Sequence, residues 1–211
     1  MEAPARLCAS GSRQSRDSFQ RNPVRLIRVA SIVLTVTVST GAGAQMGGGA
    51  PSATPAEKIR SAMNAGPVQI TANARILDWP AVRGGKPVEL RAGTNGWVCY
   101  PRTRADVDNS MCLDRVFQEW LEAYKAKRAP RLSGIGVAYG LGGGYTGSAK
   151  DPFATARTPD NDWGSDPPGL MIISPDSTLY AGFPTKRSSG VYVMFAGTPY
   201  AHLMVPVGAR K

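Results

Sequence analysis

The stretch that most constrains the fold is MCLDRVFQEWLEAYKAKR, residues 111–128. Apolar side chains recur in it with the spacing i, i+3, i+4, i+7 and i+11, which is that of one helix face. They are Leu113, Val116, Phe117, Trp120 and Tyr124. Asp114 suits the positive first turn of such a helix, basic residues suit its negative last turn, and Pro130 prevents its continuation. The pattern predicts one long amphipathic helix.

Two cysteines, Cys99 and Cys112, connect this predicted helix to the segment before it. Twelve residues separate them, so they do not form a C-x-x-C redox motif. The third cysteine of the sequence, Cys8, lies in the leader that is predicted below to be removed on export. The exported protein would then keep an even number of cysteines, which favours a structural disulfide. The alternative is a reactive Cys112, whose thiolate the helix N-terminus would stabilise. We expect the Cys99–Cys112 disulfide.

Short extended segments surround the predicted helix. Candidate strands cover residues 68–70, 75–79, 88–91, 96–100, 132–139, 170–174, 191–196 and 200–207. The last two flank a Gly-Thr-Pro turn and predict a β-hairpin. Thr54 and Glu57 form a capping-box pattern that predicts a short helix before the strands. Because helices and strands do not alternate regularly, we expect an α+β fold, with an antiparallel sheet, the long amphipathic helix packed on it, and the single disulfide.

The N-terminal region indicates export. Residues 29–40, VASIVLTVTVST, form an apolar run that follows several arginines and precedes a small-residue site ending at Ala44. This is the pattern of a secretory signal peptide. A membrane-spanning helix needs about 20 apolar residues, so an uncleaved anchor is the less favoured alternative. The predicted organisation is a signal peptide and leader over 1–44, a flexible tether over 45–53 and one domain over 54–211. The predicted location is periplasmic or extracellular, with no transmembrane anchor after cleavage.

His202 is the only histidine, which excludes catalytic sites that need two. It lies in the last predicted strand, on the face shared by Tyr200 and Met204. A single histidine there is more often structural than catalytic. If His202 acts as a base, Asp78, Asp151 or Asp162 could orient it.

The Gly-rich segment 140–169 contains two weak motifs. Residues 142–147 fit G-x-G-x-x-G, but no helix follows to face a pyrophosphate, so we expect a mobile loop and no cofactor. Ser148 and Lys150 form a Ser-x-Lys pair, yet nothing apolar surrounds the lysine to lower its pKa. No G-x-S-x-G nucleophile motif is present.

Charge suggests two further candidates. Asp160, Asp162 and Asp166 lie close together in the sequence and could hold calcium, although such residues also form turns. The net charge is +10, without a run of Lys or Arg. Basic residues near the predicted helix could form a patch for an anionic component of the envelope rather than for nucleic acid. They are Arg102, Arg104, Lys125, Lys127, Arg128 and Arg131.

Several stretches carry a resemblance to a known family. They are ILDWP at 76–80, LRAGTNGWVC at 90–99, MCLD at 111–114 with EW at 119–120, DPFA at 151–154, and FAGTPYAHLMVP at 195–206. Together these stretches resemble a family of secreted proteobacterial proteins that has no assigned activity. The resemblance implies export and no particular reaction. A histidine associated with that family before Met171 is absent here, which weakens any site built on two histidines.

The residues therefore predict an exported, non-catalytic domain that binds a partner or supports the cell envelope. The alternative is a small periplasmic hydrolase with its site at the 140–169 loop near His202.

Overall fold

Short strands dominate the residues that the computed structural model describes, which are 53–82, 84–104 and 108–208. The strands are β1 (Arg75–Asp78), β2 (Val88–Arg91), β3 (Val98–Tyr100), β4 (Met111–Leu113), β5 (Gly136–Gly140), β6 (Thr146–Ser148), β7 (Trp163–Ser165), β8 (Gly169–Ile173), β9 (Tyr192–Met194) and β10 (His202–Pro206). The helices are α1 (Pro55–Met63), α2 (Val68–Thr71) and α3 (Arg115–Lys125), and Ser177–Tyr180 and Arg187–Ser189 form 3₁₀ turns.

The predicted leader over 1–44 lies outside the described residues, as does the predicted tether except for Ala53. The described residues belong to one compact unit, Gly48–Lys211. Within them, no helix has both the length and the apolar character needed to cross a membrane.

Eight strands form one mixed sheet in the order β2-β1-β3-β4-β5-β8-β10-β9, and β6 pairs with β7 in a separate two-stranded sheet. Strands β1 and β3 are parallel, and the other neighbours in the large sheet are antiparallel. One row across its centre joins Leu113, Ala138, Met171 and Met204. Because side chains alternate between the faces of a sheet, these four residues share one face, and α3 packs on it.

The predicted fold class is wrong in two respects. The sheet is mixed rather than antiparallel, because β1 pairs with β3 in parallel after the chain has returned through β2. The long amphipathic helix over 111–128 is also absent. Residues 111–113 form strand β4, and α3 has only 11 residues.

Local hydrogen bonding explains where α3 begins and ends. The Asp114 carboxylate accepts a hydrogen bond from the backbone N–H of Phe117 at 2.7 Å and one from Val137 at 2.7 Å. It therefore caps the helix and attaches its first turn to β5. At the other end Lys127 adopts a φ of 52°, which α-helical backbone does not allow.

The predicted disulfide is confirmed. Cys99 and Cys112 are bonded and lie directly opposite each other on β3 and β4. They project from the face opposite to that of Leu113 and pack with Ala62 and Ile76 in a second apolar cluster beneath α1. The sheet thus has a core on each face, one under α3 and one under α1.

Other local predictions had mixed outcomes. The capping box is confirmed, since Glu57 accepts from the Thr54 backbone N–H at 2.7 Å and the Thr54 hydroxyl accepts from that of Glu57 at 3.3 Å. The C-terminal hairpin is confirmed as β9 and β10. The strand predicted at 68–70 is wrong, because these residues belong to the short helix α2, which Pro67 precedes. The predicted loop over 140–169 contains β6 and β7.

Candidate functional site

A cavity of about 130 Å³ lies between α3, the sheet and the segment that carries β6 and β7. Its wall is mainly apolar. The aromatic side chains that line it are Phe117, Trp120, Tyr124, Tyr145 and Phe195. The methionines that line it are Met111, Met171, Met194 and Met204. Methionine is flexible and polarisable, so this wall can adapt its shape to an occupant.

Part of the cavity exists because the sheet lacks a side chain at the end of β5. Gly140 of β5 is paired with Gly169 of β8, and both line the cavity. A Cβ added at Gly140 would have no neighbouring atom closer than 4.0 Å. The missing side chain at Gly140 therefore leaves room that a larger residue at this position would occupy, whereas a Cβ at Gly169 would lie 2.8 Å from the Val205 carbonyl oxygen.

His202 forms part of the wall at the start of β10. It is buried, and its Nδ1 lies 3.0 Å from the carbonyl oxygen of Tyr200. Because a carbonyl only accepts hydrogen bonds, Nδ1 carries the proton and Nε2 is the acceptor of the neutral ring. Burial lowers the pKa of His202, against smaller opposing effects of the Tyr200 carbonyl and the Asp166 charge. His202 is therefore a neutral acceptor near neutral pH.

Aromatic rings enclose the imidazole of His202. The rings of Phe117, Trp120 and Phe195 stand edge-on to it, with centroids 6.3, 5.3 and 5.4 Å away. Such packing holds the imidazole in one orientation.

Asp166 supplies the buried charge at the cavity wall. Its Oδ1 accepts hydrogen bonds from Arg187 Nε at 2.7 Å and from the Tyr192 hydroxyl at 2.6 Å. Burial and then the Asp166 charge raise the pKa of Tyr192, which keeps this hydroxyl protonated and able to donate. The side chains of Asp166 and Arg187 are only 5% and 2% exposed.

Two buried side-chain atoms of the described residues have no hydrogen-bond partner: Asp166 Oδ2 and Trp120 Nε1. Both residues line the cavity. Buried polar atoms are rarely left unpaired, because removing them from water without a partner costs free energy. One unpartnered acceptor and one unpartnered donor in the same wall are the features expected of a ligand site.

The other predicted catalytic residues lie elsewhere. Asp78 forms an ion pair with Lys58 at 2.5 Å, and Asp151 Oδ1 accepts from the backbone N–H of Phe153 at 2.8 Å. Among the described contacts, neither carboxylate is bonded to His202. The carboxylate whose charge acts on His202 is Asp166, which the sequence suggested only as a calcium ligand.

The three candidate calcium ligands have different surroundings. Asp166 and Asp162 both contact Arg187: Asp162 Oδ2 accepts from the Arg187 backbone N–H at 2.9 Å, and the Asp162 carbonyl accepts from Arg187 Nη1. Asp160 is exposed. Across residues 53–82, 84–104 and 108–208, no group of three or more His, Cys, Asp or Glu side chains is arranged to hold a metal ion.

The hydroxyl of Ser148 is occupied by backbone contacts. It donates to the Asn161 carbonyl at 2.8 Å and accepts from the backbone N–H groups of Lys150 and Asp151 at 3.0 and 2.8 Å. The glycines just before it also have a local role. Gly144 adopts a φ of +78°, and its N–H donates to the Asp166 carbonyl at 2.9 Å. The segment 142–148 thus positions Asp166.

The predicted basic patch includes two lysines that lie over aromatic rings. Lys125 Nζ is 5.6 Å from the centroid of Tyr100, and Lys127 Nζ is 5.2 Å from that of Phe153. These contacts orient the two ammonium groups along the surface beside α3. The anionic envelope partner stays a prediction.

No protein-family model matches the chain, and no curated protein or solved structure is significantly similar to it. The resemblance to secreted proteobacterial proteins therefore stays a prediction. Sequence reasoning missed the cavity and the residues that shape it, above all Gly140, Gly169 and Arg187. Their pairing is visible only in the strand register and in contacts between distant segments.

Proposed function

We propose that the protein is an exported, non-catalytic binding domain that takes one small, largely apolar molecule in the cavity beneath α3. The observation that carries the proposal is the cavity itself, with its aromatic and methionine wall. A cavity of about 150 Å³ with apolar walls is known to accept benzene. The volume of about 130 Å³ therefore suits a compound with a single ring.

The arrangement supports binding over hydrolysis because the serine and the histidine of the wall lie far apart. Leu113 and Met204 belong to the same row across the sheet. Ser110 lies three residues before Leu113 and His202 two residues before Met204, and because β4 and β10 run in opposite directions, the two residues lie on opposite sides of this row. At about 3.4 Å per residue, they are separated by roughly 17 Å along the strands alone. The Ser110 hydroxyl donates instead to Asp108 at 2.7 Å.

The tyrosines of the wall also favour binding. Burial raises the pKa of Tyr124 and, together with the Asp166 charge, that of Tyr145. Both phenols stay protonated near neutral pH and are poor nucleophiles.

The proposed location rests on the disulfide and the leader. A buried disulfide between adjacent strands supports export, because disulfides persist in oxidising compartments.

Gly140→Leu tests the proposal by filling the cavity from the sheet. Toluene added to the purified protein is expected to raise the melting temperature and to shift the methyl NMR signals of Met171 and Met204. In Gly140→Leu the affinity for toluene should fall at least about tenfold, because the new side chain occupies the site.

Gly134→Leu is the matched control. A Cβ at Gly134 also meets no atom within 4 Å, but Gly134 does not line the cavity. This variant should bind toluene as the unmodified protein does. The proposal is wrong if toluene does not bind, or if both variants bind it equally well.

A further inference from the structure

The unpartnered oxygen of Asp166 limits which compounds suit the cavity. Oδ1 already accepts from Arg187 and Tyr192, whereas Oδ2 has no partner. Asp166 lines the cavity, and its side chain is only 5% exposed. Asp166 therefore brings to the apolar wall a buried carboxylate oxygen that has no hydrogen-bond partner among the described residues.

The guanidinium of Arg187 is held by two backbone carbonyls as well as by Asp166 Oδ1. Its Nη1 donates to the Asp162 carbonyl and its Nη2 to the Gly147 carbonyl at 3.2 Å, while Nε holds Asp166 Oδ1. Arg187 does not line the cavity. Arg187 offsets the charge of Asp166 without forming part of the cavity wall.

We propose that the occupant is a compound with a single aromatic ring and a hydroxyl or amino group that donates a hydrogen bond to Asp166 Oδ2. Phenols and aromatic amines have this chemistry. The inference rests on the proposed function, because it names the class of ligand for the same cavity. An anionic ring compound such as a benzoate is disfavoured, since its carboxylate would meet the Asp166 carboxylate in an apolar environment.

The wall around Asp166 suits such a ring. The rings of Trp120 and Tyr124 are stacked, with centroids 5.1 Å apart, and the methionines provide adaptable contacts on the sheet side. Trp120 Nε1 is the unpartnered donor of the wall, so an acceptor on the ligand gains a partner there. A hydroxyl group is both a donor and an acceptor.

Three compounds of similar size test the inference on the unmodified protein. Phenol, toluene and benzoate are titrated separately at pH 7 by calorimetry. Phenol is expected to bind at least about tenfold more tightly than toluene, because a hydrogen bond to a charged group contributes more than one to a neutral group. Benzoate is expected to bind at least about tenfold more weakly than phenol.

A variant tests whether Asp166 is the acceptor. Asp166→Asn combined with Arg187→Met removes both charges together, so that no buried charge is left unpaired. In this double variant the preference for phenol over toluene should shrink to about threefold or less. A preserved preference would overturn the assignment to Asp166. If the double variant does not fold, the three titrations of the unmodified protein still decide.

The outcomes separate the two proposals. If toluene binds as tightly as phenol, a water molecule or the protein satisfies Oδ2, and the ligand class is wrong while the binding function stands. If benzoate binds as tightly as phenol, the ligand class is wrong as well. If none of the three compounds binds, the proposed function fails and the inference fails with it.

Discussion

Replacing Arg187 with Met should destabilise the protein strongly, because it leaves the Asp166 charge buried without a counter-charge. Breaking a buried ion pair by removing one partner typically costs about 3–5 kcal/mol. The 2.7 Å contact and the exposures of 2% and 5% place this pair in that class. Since the Gly147 carbonyl also loses a donor, we expect the free energy of unfolding to fall by about 4 kcal/mol.

Urea denaturation followed by tryptophan fluorescence at pH 7 measures this loss. Arg75→Met is the matched control: Arg75 pairs with Glu89 at 2.6 Å, but the two side chains are 51% and 44% exposed. Solvent screens such a pair, so its loss should cost less than about 1 kcal/mol. Equal losses for the two variants would refute the reasoning.

Two further predictions concern the disulfide and the histidine. The double variant Cys99→Ala, Cys112→Ala should lose about 3 kcal/mol of unfolding free energy in urea, since it frees a short loop in the unfolded chain; a native Cys99 or Cys112 that reacts with maleimide without reductant would contradict the bond. The protein should also lose stability as the pH falls below about 6.5, because the unfolded chain then binds a proton at His202 that the folded protein, with its lowered pKa, does not. The unfolding free energy should fall by no more than about 1.4 kcal/mol for each unit of pH. The variant His202→Gln, which removes the only histidine, should abolish this slope. An unchanged slope in that variant would assign the pH dependence to other groups.

The sequence predicted features that depend on neighbouring residues. The stripe of Phe117, Trp120 and Tyr124 indicated a helix that buries one face, and these residues line the cavity. Periodicity could not find the start of α3. Leu113 fits the helical stripe, yet it also alternates with Cys112 in a strand, and pairing with β3 and β5 favours the strand. The parallel pairing of β1 with β3 has no local signal, because it depends on which strands become neighbours.

The candidate site was harder to predict, because it depends on residues that are distant in sequence. Gly140 and Gly169 are the first and last residues of the segment that was predicted to be a loop. Only the register of β5 and β8 places them opposite each other. Arg187 contacts Asp166 across 21 positions, and nothing in the sequence around Arg187 indicates that it is buried. A buried arginine needs a nearby carboxylate, but the sequence alone does not show which one.

The site combines a fixed carboxylate with an adaptable apolar wall. Asp166 is held by its side-chain contacts and by its backbone, whose N–H donates to the Tyr145 carbonyl at 2.9 Å and whose carbonyl accepts from Gly144 at 2.9 Å. A carboxylate held in this way loses little conformational entropy when a ligand binds to it. The methionines, by contrast, can change rotamer to fit rings of different outline. Selectivity should therefore depend on the donor group of the ligand more than on the shape of its ring. Phenols with different ring substituents should bind with similar affinities, whereas methylation of the hydroxyl, which removes the donor, should weaken binding.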